Sequence, residues 1–326
     1  MALLRGDDPG AIAAAARRLA DGGLVAFATE TVYGLGARAD SDAAVAAIFA
    51  AKGRPAGHPL IVHVAGLDQA AGFASRLPPA ALKLAQAFWP GPVTVIVPRA
   101  AGLASAAAGG QASIGLRCPA HPVAQALLHA AAALGVAGVA APSANRFGRI
   151  SPTRAAHVEQ EFGPALWVLD GGDSALGIES TIVDLSRGSP VLLRPGVLTR
   201  ARLEAVLGEP LRAPDSQSAR APGTLASHYA PVARLRLWPA AALAARLGQP
   251  DGLPTGVAVY SRRLAKAVPG LQWRCMADSP LAAAHELFAV LRQLDGEGCS
   301  EIWVEQPPDD PAWEGVTDRL RRAAAA

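Results

Sequence analysis

A short apolar run over residues 23–27 passes into the polar residues Thr29, Glu30 and Thr31 and then into two glycines, Gly34 and Gly36. The run predicts a buried strand. Glycine lets the backbone approach a ligand closely and adopt positive φ. The sequence therefore predicts a strand that ends in a polar turn, with a ligand site at its mouth.

A helix is predicted directly after this turn. Ser41 is typical of an N-cap, and apolar residues recur at helical spacing over residues 45–49. The glycine and proline that flank Arg54 should end the helix at Lys52. Thr31, Lys52 and Arg54 are thus expected near one mouth. A plain strand–helix connection with solvated cations remains the alternative at this point.

Composition bounds the class of protein. The 326 residues, 51% hydrophobic and 17% charged, indicate one large or two ordinary domains with a substantial core. We find no apolar run long enough to span a bilayer and no signal sequence. Three sparse cysteines favour a reducing, cytoplasmic location. The net charge of +3 mildly favours an anionic ligand but is too small to demonstrate nucleic-acid binding.

Polar side chains also mark the later strands. His63 lies within an apolar strand over residues 60–64, with His58 before it, and alternation places Ser113 and Arg117 on one face of the next strand. A lone strand histidine is more often a satisfied core residue than a ligand group. An arginine on such a face needs an anion or open water. Residues 99–112 are expected to form a mobile loop.

The strand over residues 136–142 repeats the first pattern and ends in Ser143 and Asn145. Ser151 is predicted to cap a helix that runs to about residue 162. Ser180 should begin the strand that ends at residue 184, and Arg194 should end the last strand of this domain.

The chain is predicted to comprise a catalytic domain over residues 1–208, a linker over 209–231 and a small α/β domain over 232–326. The linker carries His228 and Tyr229, which suit either an active-site lid or a strap that docks the second domain. In the last domain, strand and helix alternate, which predicts a small open parallel sheet. His285 and Glu286 are expected on a helix surface.

The chemistry is indicated by elimination. The chain lacks a complete dinucleotide fingerprint, a phosphate loop, a nucleophile elbow and a zinc-protease motif. Cations and hydroxyls gather at strand ends without a nucleophile–base pair. That set suits phosphate-ester chemistry performed by positioning and charge stabilisation.

Motifs in order along the chain are residues 29–36, 52–54 with 58–63, Ser113 with Arg117, 142–145 with 151–153, 179–184 with 193–196, and 222–231. Together they resemble the threonylcarbamoyl-AMP synthase family in its longer, two-domain form. The resemblance implies a twisted YrdC-like α/β sheet around a deep basic cavity, plus a smaller Rossmann-like α/β domain. It implies that L-threonine, bicarbonate and ATP form threonylcarbamoyl-AMP and pyrophosphate, which a partner transferase uses to modify tRNA.

The family pattern also implies site residues. L-threonine is expected at Thr31, His63, Arg117, Ala141 and Ser180. ATP is expected at Arg54, His58, Ser113, Ser143, Asn145, Ser151, Arg194 and Tyr229. Lys52 and Arg54 are expected to act beside the phosphates. Mg²⁺ should be carried by triphosphate oxygens and water, without a protein metal cage.

Two other classes remain open from the sequence. A tRNA- or double-stranded-RNA-binding module without catalysis would also need a basic cavity, and it predicts salt-sensitive RNA binding without ATP turnover. A carbamoyl-transfer domain of a larger maturation enzyme would need acylphosphatase-like and zinc-finger segments, and this chain has neither. Direct contact of tRNA with this chain is not decided by the sequence.

Overall fold

A computed structural model describes residues 2–249, 254–263 and 271–326. The strands are β1 Ala2–Arg5, β2 Val25–Phe27, β3 Gly34–Arg38, β4 Ile61–His63, β5 Val93–Pro98, β6 Ser113–Arg117, β7 Val139–Ala140, β8 Trp167–Asp170, β9 Thr181–Asp184, β10 Val191–Arg194, β11 Arg234–Trp238, β12 Val257–Ser261, β13 Gln272–Cys275 and β14 Glu301–Glu305. The helices are α1 Pro9–Ala20, α2 Asp42–Lys52, α3 Leu67–Phe73, α4 Pro79–Phe88, α5 Pro122–Ala133, α6 Ala155–Phe162, α7 Arg200–Leu207, α8 Ala240–Leu247, α9 Pro280–Gly296 and α10 Glu314–Ala324, with a short 3₁₀ helix at Pro311–Trp313.

Ten strands form one mixed sheet in the order β1-β8-β2-β3-β7-β4-β6-β5-β9-β10. Helices α1 and α5 cover part of it through an alanine-rich core that includes Phe27 and Leu127. A second core, which includes Ile48 on α2 and Leu84 on α4, packs against strands such as β5. Because both sides of the central strands are covered, β2, β5 and β9 are buried along almost their whole length.

The other four strands form a wholly parallel sheet in the order β11-β14-β12-β13, which confirms the predicted small parallel sheet. Helices α9 and α10 supply one hydrophobic core, and α8 supplies another. The α9–α10 core also includes Val32, Ile150, Ile178 and Tyr229. Residues from the site region therefore pack directly against the second sheet.

Several local predictions are wrong. Gly34 and Gly36 lie in strand β3 and not in a turn, and a Cβ on Gly36 would meet the Phe27 ring at 2.8 Å, so close packing explains this glycine. Ser151 does not cap a helix, because α6 begins at Ala155 after Arg154. Strands β1 and β13 and helix α3 were not predicted from the sequence.

Two expected surface features are instead packed. Within residues 99–112, Ala107 is fully buried and its carbonyl accepts from the amide of Leu60 at 2.7 Å. On α9, His285 is exposed, but Glu286 accepts hydrogen bonds from the Tyr260 hydroxyl and the Ala277 amide. No helix in the described part of the chain is long and apolar enough to cross a membrane.

Candidate active site

A buried cavity lies where the ends of several strands of the large sheet meet the linker. Its lining residues are Thr29, Val32, Gly34, Arg54, Ile61, His63, Arg117, Ala141, Pro142, Ser143, Glu179, Ser180, Arg194, Pro222, Gly223, His228 and Tyr229. Register explains why distant segments meet here. His63 pairs with Arg117 between β4 and β6 and with Val139 between β4 and β7. The polar residues at the ends of these strands therefore lie at the same edge of the large sheet.

The cavity is electropositive. Arg54, Arg117 and Arg194 line it, and Glu179 is its single carboxylate among the lining residues. Burial and the neighbouring Arg194 lower the pKa of Arg54 to about 10, although Tyr229 opposes this. Arg54 remains charged at neutral pH, and the excess of arginines over carboxylates means that the cavity favours anionic ligands.

Arg117 is held at the base of the cavity by an acidic partner. Its Nη2 lies 2.7 Å from Oε1 of Glu30, and its Nε donates weakly to the Gly91 carbonyl at 3.4 Å. Neither oxygen of Glu30 nor Nη2 of Arg117 makes a hydrogen bond of good geometry among the described residues, so this contact is an ion pair and not a hydrogen bond. The anion expected for Arg117 is therefore supplied within the protein, and Glu30 was missed as its partner because the two are far apart in sequence.

Arg194 joins the strand ends to the linker. Its Nε donates to the Ser180 carbonyl at 3.0 Å, its Nη2 donates to the Ser180 hydroxyl at 3.2 Å, and its Nη1 donates to the Pro222 carbonyl at 3.1 Å. The Ser180 hydroxyl is in turn 2.8 Å from that of Thr94. One guanidinium thus fixes both a wall of the cavity and the segment that covers it.

The imidazoles in the cavity are neutral. Burial, and then the charge of Arg117, lower the pKa of His63 to about 3. Burial also lowers the pKa of His228 to about 3, with Arg54 contributing. Nδ1 has no hydrogen-bond partner in either ring within the described residues. Both rings can therefore form hydrogen bonds with a ligand without adding charge.

Six predicted site residues do not line the cavity. Lys52 is buried, and its ammonium donates to the carbonyls of Ser143, at 2.6 Å, and Asn145, so it supports the loop and does not face the cavity. Burial and the charge of Arg54 hold the Lys52 pKa well below its usual value. The Thr31 hydroxyl is bonded to that of Thr29. The side-chain amide of Asn145 donates to the carbonyls of Arg146, at 2.7 Å, and Arg149, at 2.9 Å, so it braces its own loop.

His58, Ser113 and Ser151 lie further from the cavity or behind the side chains that line it. His58 packs edge-on against Phe147, with ring centroids 5.4 Å apart. Ser113 lines a smaller adjoining cavity that shares Ile61 and Pro222 with the first. Ser151 is fully buried and donates to Oε1 of Glu179.

The linker fills the mouth of the cavity. Tyr229 is buried at a φ of 63°, which is unusual for a residue other than glycine. Its ring packs on Phe288 of α9, while its hydroxyl, without a hydrogen-bond partner among the described residues, lines the cavity. The remaining cavity has a volume of about 40 Å³, and that of the adjoining one is about 10 Å³. A single water molecule needs about 10–15 Å³ of such cavity volume. The two cavities in this structure therefore have little room for substrates.

A larger groove, about 690 Å³, lies between α7 and the segment from Gln306 to α10. Four carboxylates and two arginines are among its lining residues. An acidic lining disfavours phosphate and carboxylate ligands. The small basic cavity is therefore the better candidate active site despite its size.

The fold and this cavity together define a two-domain α/β protein with a basic, strand-end site for anionic substrates. Two family profiles cover nearly all of the chain: one described as "Telomere recombination" matches residues 17–196, and one described as "Threonylcarbamoyl-AMP synthase, C-terminal domain" matches residues 198–325. The chain belongs to the threonylcarbamoyl-AMP synthase family, in its two-domain form.

Individual relatives agree over the full length. The threonylcarbamoyl-AMP synthase of Pyrococcus abyssi is 38% identical over 95% of this chain and 93% of its own length. That of Bacillus subtilis is 35% identical over 96% of this chain and 92% of its own length. The crystal structure of P. abyssi Sua5 complexed with L-threonine superposes with a TM-score of 0.86 at 35% identity, covering 97% of this chain and 95% of that one. Because such full-length relatives are named as synthases, the enzyme is favoured over a binding module without catalysis.

Proposed function

We propose that the basic cavity binds L-threonine, bicarbonate and ATP and forms threonylcarbamoyl-AMP with release of pyrophosphate. The observation that carries this proposal is the convergence of three arginines and two neutral histidines on one cavity at the strand ends. Carboxylate, bicarbonate and triphosphate are all anions, and guanidinium groups pair with such groups through two parallel hydrogen bonds.

The threonine end of the cavity is assigned to Thr31, His63, Arg117, Ala141 and Ser180. Arg117 pairs with the threonine carboxylate. Because the Arg117 guanidinium is already paired with Glu30, the threonine carboxylate must either displace Glu30 or bind the same guanidinium together with it. The neutral ring of His63 and the hydroxyl of Ser180 offer hydrogen bonds to the threonine side chain and amino group. Thr31 orients the Thr29 hydroxyl, which lines the cavity.

The nucleotide end of the cavity is assigned to Arg54, Ser143, Arg194 and Tyr229, with His58, Ser113, Asn145 and Ser151 further along the same path. Nε of Arg54 is buried and has no partner among the described residues, so it is a free donor toward phosphate. Lys52 acts through Ser143 and Asn145, whose backbone it holds. We therefore assign Lys52 as a positioning residue and not as a direct phosphate ligand.

Rate enhancement comes from positioning and charge. The carbamate of threonine is held in line with the α-phosphate while arginines neutralise the charge that develops as pyrophosphate leaves. The linker over residues 209–231 shuts out water while the labile carbamate and adenylate exist. Mg²⁺ is proposed to enter with ATP, carried by triphosphate oxygens and water.

The product is proposed to pass to a separate transferase that modifies tRNA, in the cytoplasm. The three cysteines are all unpaired, as is usual in a reducing compartment. Direct tRNA contact with this chain would be tested by salt-dependent binding.

The decisive experiment is pyrophosphate release by the full chain with ATP, threonine and bicarbonate, each omitted in turn. We expect release to require all three, and the acid-labile adenylate to carry label from both threonine and bicarbonate. Equal pyrophosphate release without threonine would overturn the proposal.

A further inference from the structure

A second groove, of about 290 Å³, lies between the catalytic domain and helix α9. One wall is formed by residues 153–160 and by Asp173 and Ser174, and the other wall is formed by residues 285–293 of α9. It shares no lining residue with the catalytic cavity. Because one water molecule needs about 10–15 Å³ of such cavity volume, the groove has room for a small polar molecule.

Two buried hydroxyls at this groove lack partners. Thr153 and Ser174 are 3% and 1% exposed, yet neither hydroxyl oxygen has a hydrogen-bond partner among the described residues. Their backbones are fixed, because the Ser174 amide donates to the Thr153 carbonyl at 2.9 Å. Buried hydroxyls are rarely left unbonded. These two are therefore held in place as free donors at the groove.

His157 adds a third donor. Its Nδ1 accepts from the Thr153 amide at 3.2 Å, so the proton of the neutral ring is on Nε2. Burial, followed by the charges of Arg292 and Arg154, lowers the pKa of His157 to about 4 and keeps the ring neutral. The same positive surroundings that oppose its protonation favour a negatively charged ligand beside it.

Helix α6 points its uncapped end at this site. Arg154 occupies the N-cap position without a side-chain hydrogen bond to the helix. The His157 amide donates to the Arg154 carbonyl at 3.1 Å, which leaves the amides of Ala155 and Ala156 without an acceptor among the described residues. Free amides and the helix dipole favour an anion. The carboxylates nearby are engaged, since Asp173 pairs with Arg154 at 2.9 Å and Glu286 accepts from the Tyr260 hydroxyl at 2.9 Å.

We propose that this interdomain groove binds a small oxyanion of the phosphate class through the hydroxyls of Thr153 and Ser174, the imidazole of His157 and the N-terminus of α6. The ligand is orthophosphate or the pyrophosphate that the family reaction releases, and both present the same oxygens. Because α9 forms the opposite wall, with the His285 ring 3.0 Å from the Ala175 carbonyl, bound anion tightens the contact between the two domains.

The test is hydrogen–deuterium exchange of the full chain in phosphate-free buffer, titrated with inorganic phosphate. We expect slower exchange at residues 153–160 and 285–293, with a phosphate dependence separate from that of cavity segments such as residues 54–63. The double variant Thr153→Val, Ser174→Ala should bind phosphate in the groove about tenfold more weakly or worse, because each hydrogen bond to a charged group is lost.

Matched variants keep the test interpretable. Thr153→Ser retains the hydroxyl and should retain phosphate binding, and Ser174→Ala alone should give an intermediate loss. No slowing at the groove in the wild-type chain, or equal slowing in the double variant, would overturn the proposal and leave only ordered water there. Pyrophosphate acting at lower concentration than orthophosphate would identify the reaction product as the ligand. If acetate slowed exchange at the groove as strongly as phosphate does, the proposal that the ligand belongs to the phosphate class would be refuted.

Discussion

Nε of Arg319 donates to Oε2 of Glu179 in the catalytic cavity at 2.8 Å. Arg319 lies on α10, the last helix of the chain, which packs against the smaller sheet. The other oxygen of the Glu179 carboxylate accepts from Ser151. Arg319 also donates to the carbonyls of Pro195, at 2.7 Å, and Glu179, at 3.1 Å. Burial opposes ionisation of Glu179, but Arg319 and then Arg194 outweigh it and lower the pKa of the carboxyl. A fully buried cation from one sheet thus fixes the wall that carries Ser180 in the other.

Substitution of Arg319 should change both the stability of the protein and the binding of substrates in the catalytic cavity. Removing one partner of a buried ion pair costs about 3–5 kcal/mol, so Arg319→Met should lower the unfolding free energy by about that amount. It should also raise the KM for threonine and ATP, because Glu179 no longer orients its neighbours. Arg5→Met removes a fully exposed ion pair with Asp7 and should leave the melting temperature unchanged. Wild-type stability with raised KM would show that Arg319 serves positioning alone.

Arg117 is expected to set threonine affinity. Arg117→Ala should weaken threonine binding by about 1.5–3 kcal/mol, the range for hydrogen bonds to charged groups. Arg117→Lys should lose less, because lysine keeps the charge but cannot form two parallel bonds. Isothermal titration of threonine measures both losses. Unchanged affinity in Arg117→Ala would mean that the carboxylate binds elsewhere.

Gly223 tests the linker as a lid. Its φ is +75°, and a Cβ there would lie 2.2 Å from the Tyr229 hydroxyl and 3.0 Å from Nη1 of Arg194. Gly223→Ala should therefore displace the linker and raise the KM for ATP. Gly188→Ala is the matched control, because Gly188 also has positive φ, +97°, but no atom within 4 Å of an added Cβ.

Limited proteolysis reports the same movement. In the wild-type chain, cutting between Pro214 and Ser227 should decrease when ATP and threonine are added together, and Gly223→Ala should be cut faster. Tyr229 already packs on Phe288, so it serves to dock the second sheet as well as to cover the cavity. Identical cutting with and without both substrates would favour a docking strap over a lid.

Acid should destabilise the protein through its buried histidines. The pKa values of His63, His228 and His157 lie at about 3, 3 and 4, below the ordinary 6.5, chiefly because of burial. The unfolded chain therefore binds more protons than the folded chain below pH 6.5. The stability that these rings contribute is full above pH 6.5 and is lost as the pH falls toward 4.

Urea unfolding at several pH values measures this dependence. Each proton contributes a slope of about 1.4 kcal/mol per pH unit. His63→Asn should reduce the slope by about one proton. An unfolding free energy that is flat from pH 7 to 5 would contradict the assignment of neutral, buried rings.

Local sequence patterns located most of the helices and many of the strands. Helix α2 begins after the Ser41 cap and ends before Gly53, whose φ is 62°, because caps and periodicity act within a few residues. The glycines of β3 were misread as a turn, since the Phe27 ring that they pack against belongs to another strand. The predicted Ser151 cap is wrong because a distant carboxylate takes its hydroxyl.

The sequence alone determined the α/β class, the order of motifs and the residue types available for binding anions, because these depend on short-range periodicity and on chemistry carried by single side chains. Tertiary structure decided which of those side chains share a cavity. Strand register places His63 beside Arg117. Arg117 forms an ion pair with Glu30, and the ammonium of Lys52 donates to two backbone carbonyls. Such pairings join residues far apart in sequence, and their strength depends on burial, which no local pattern encodes.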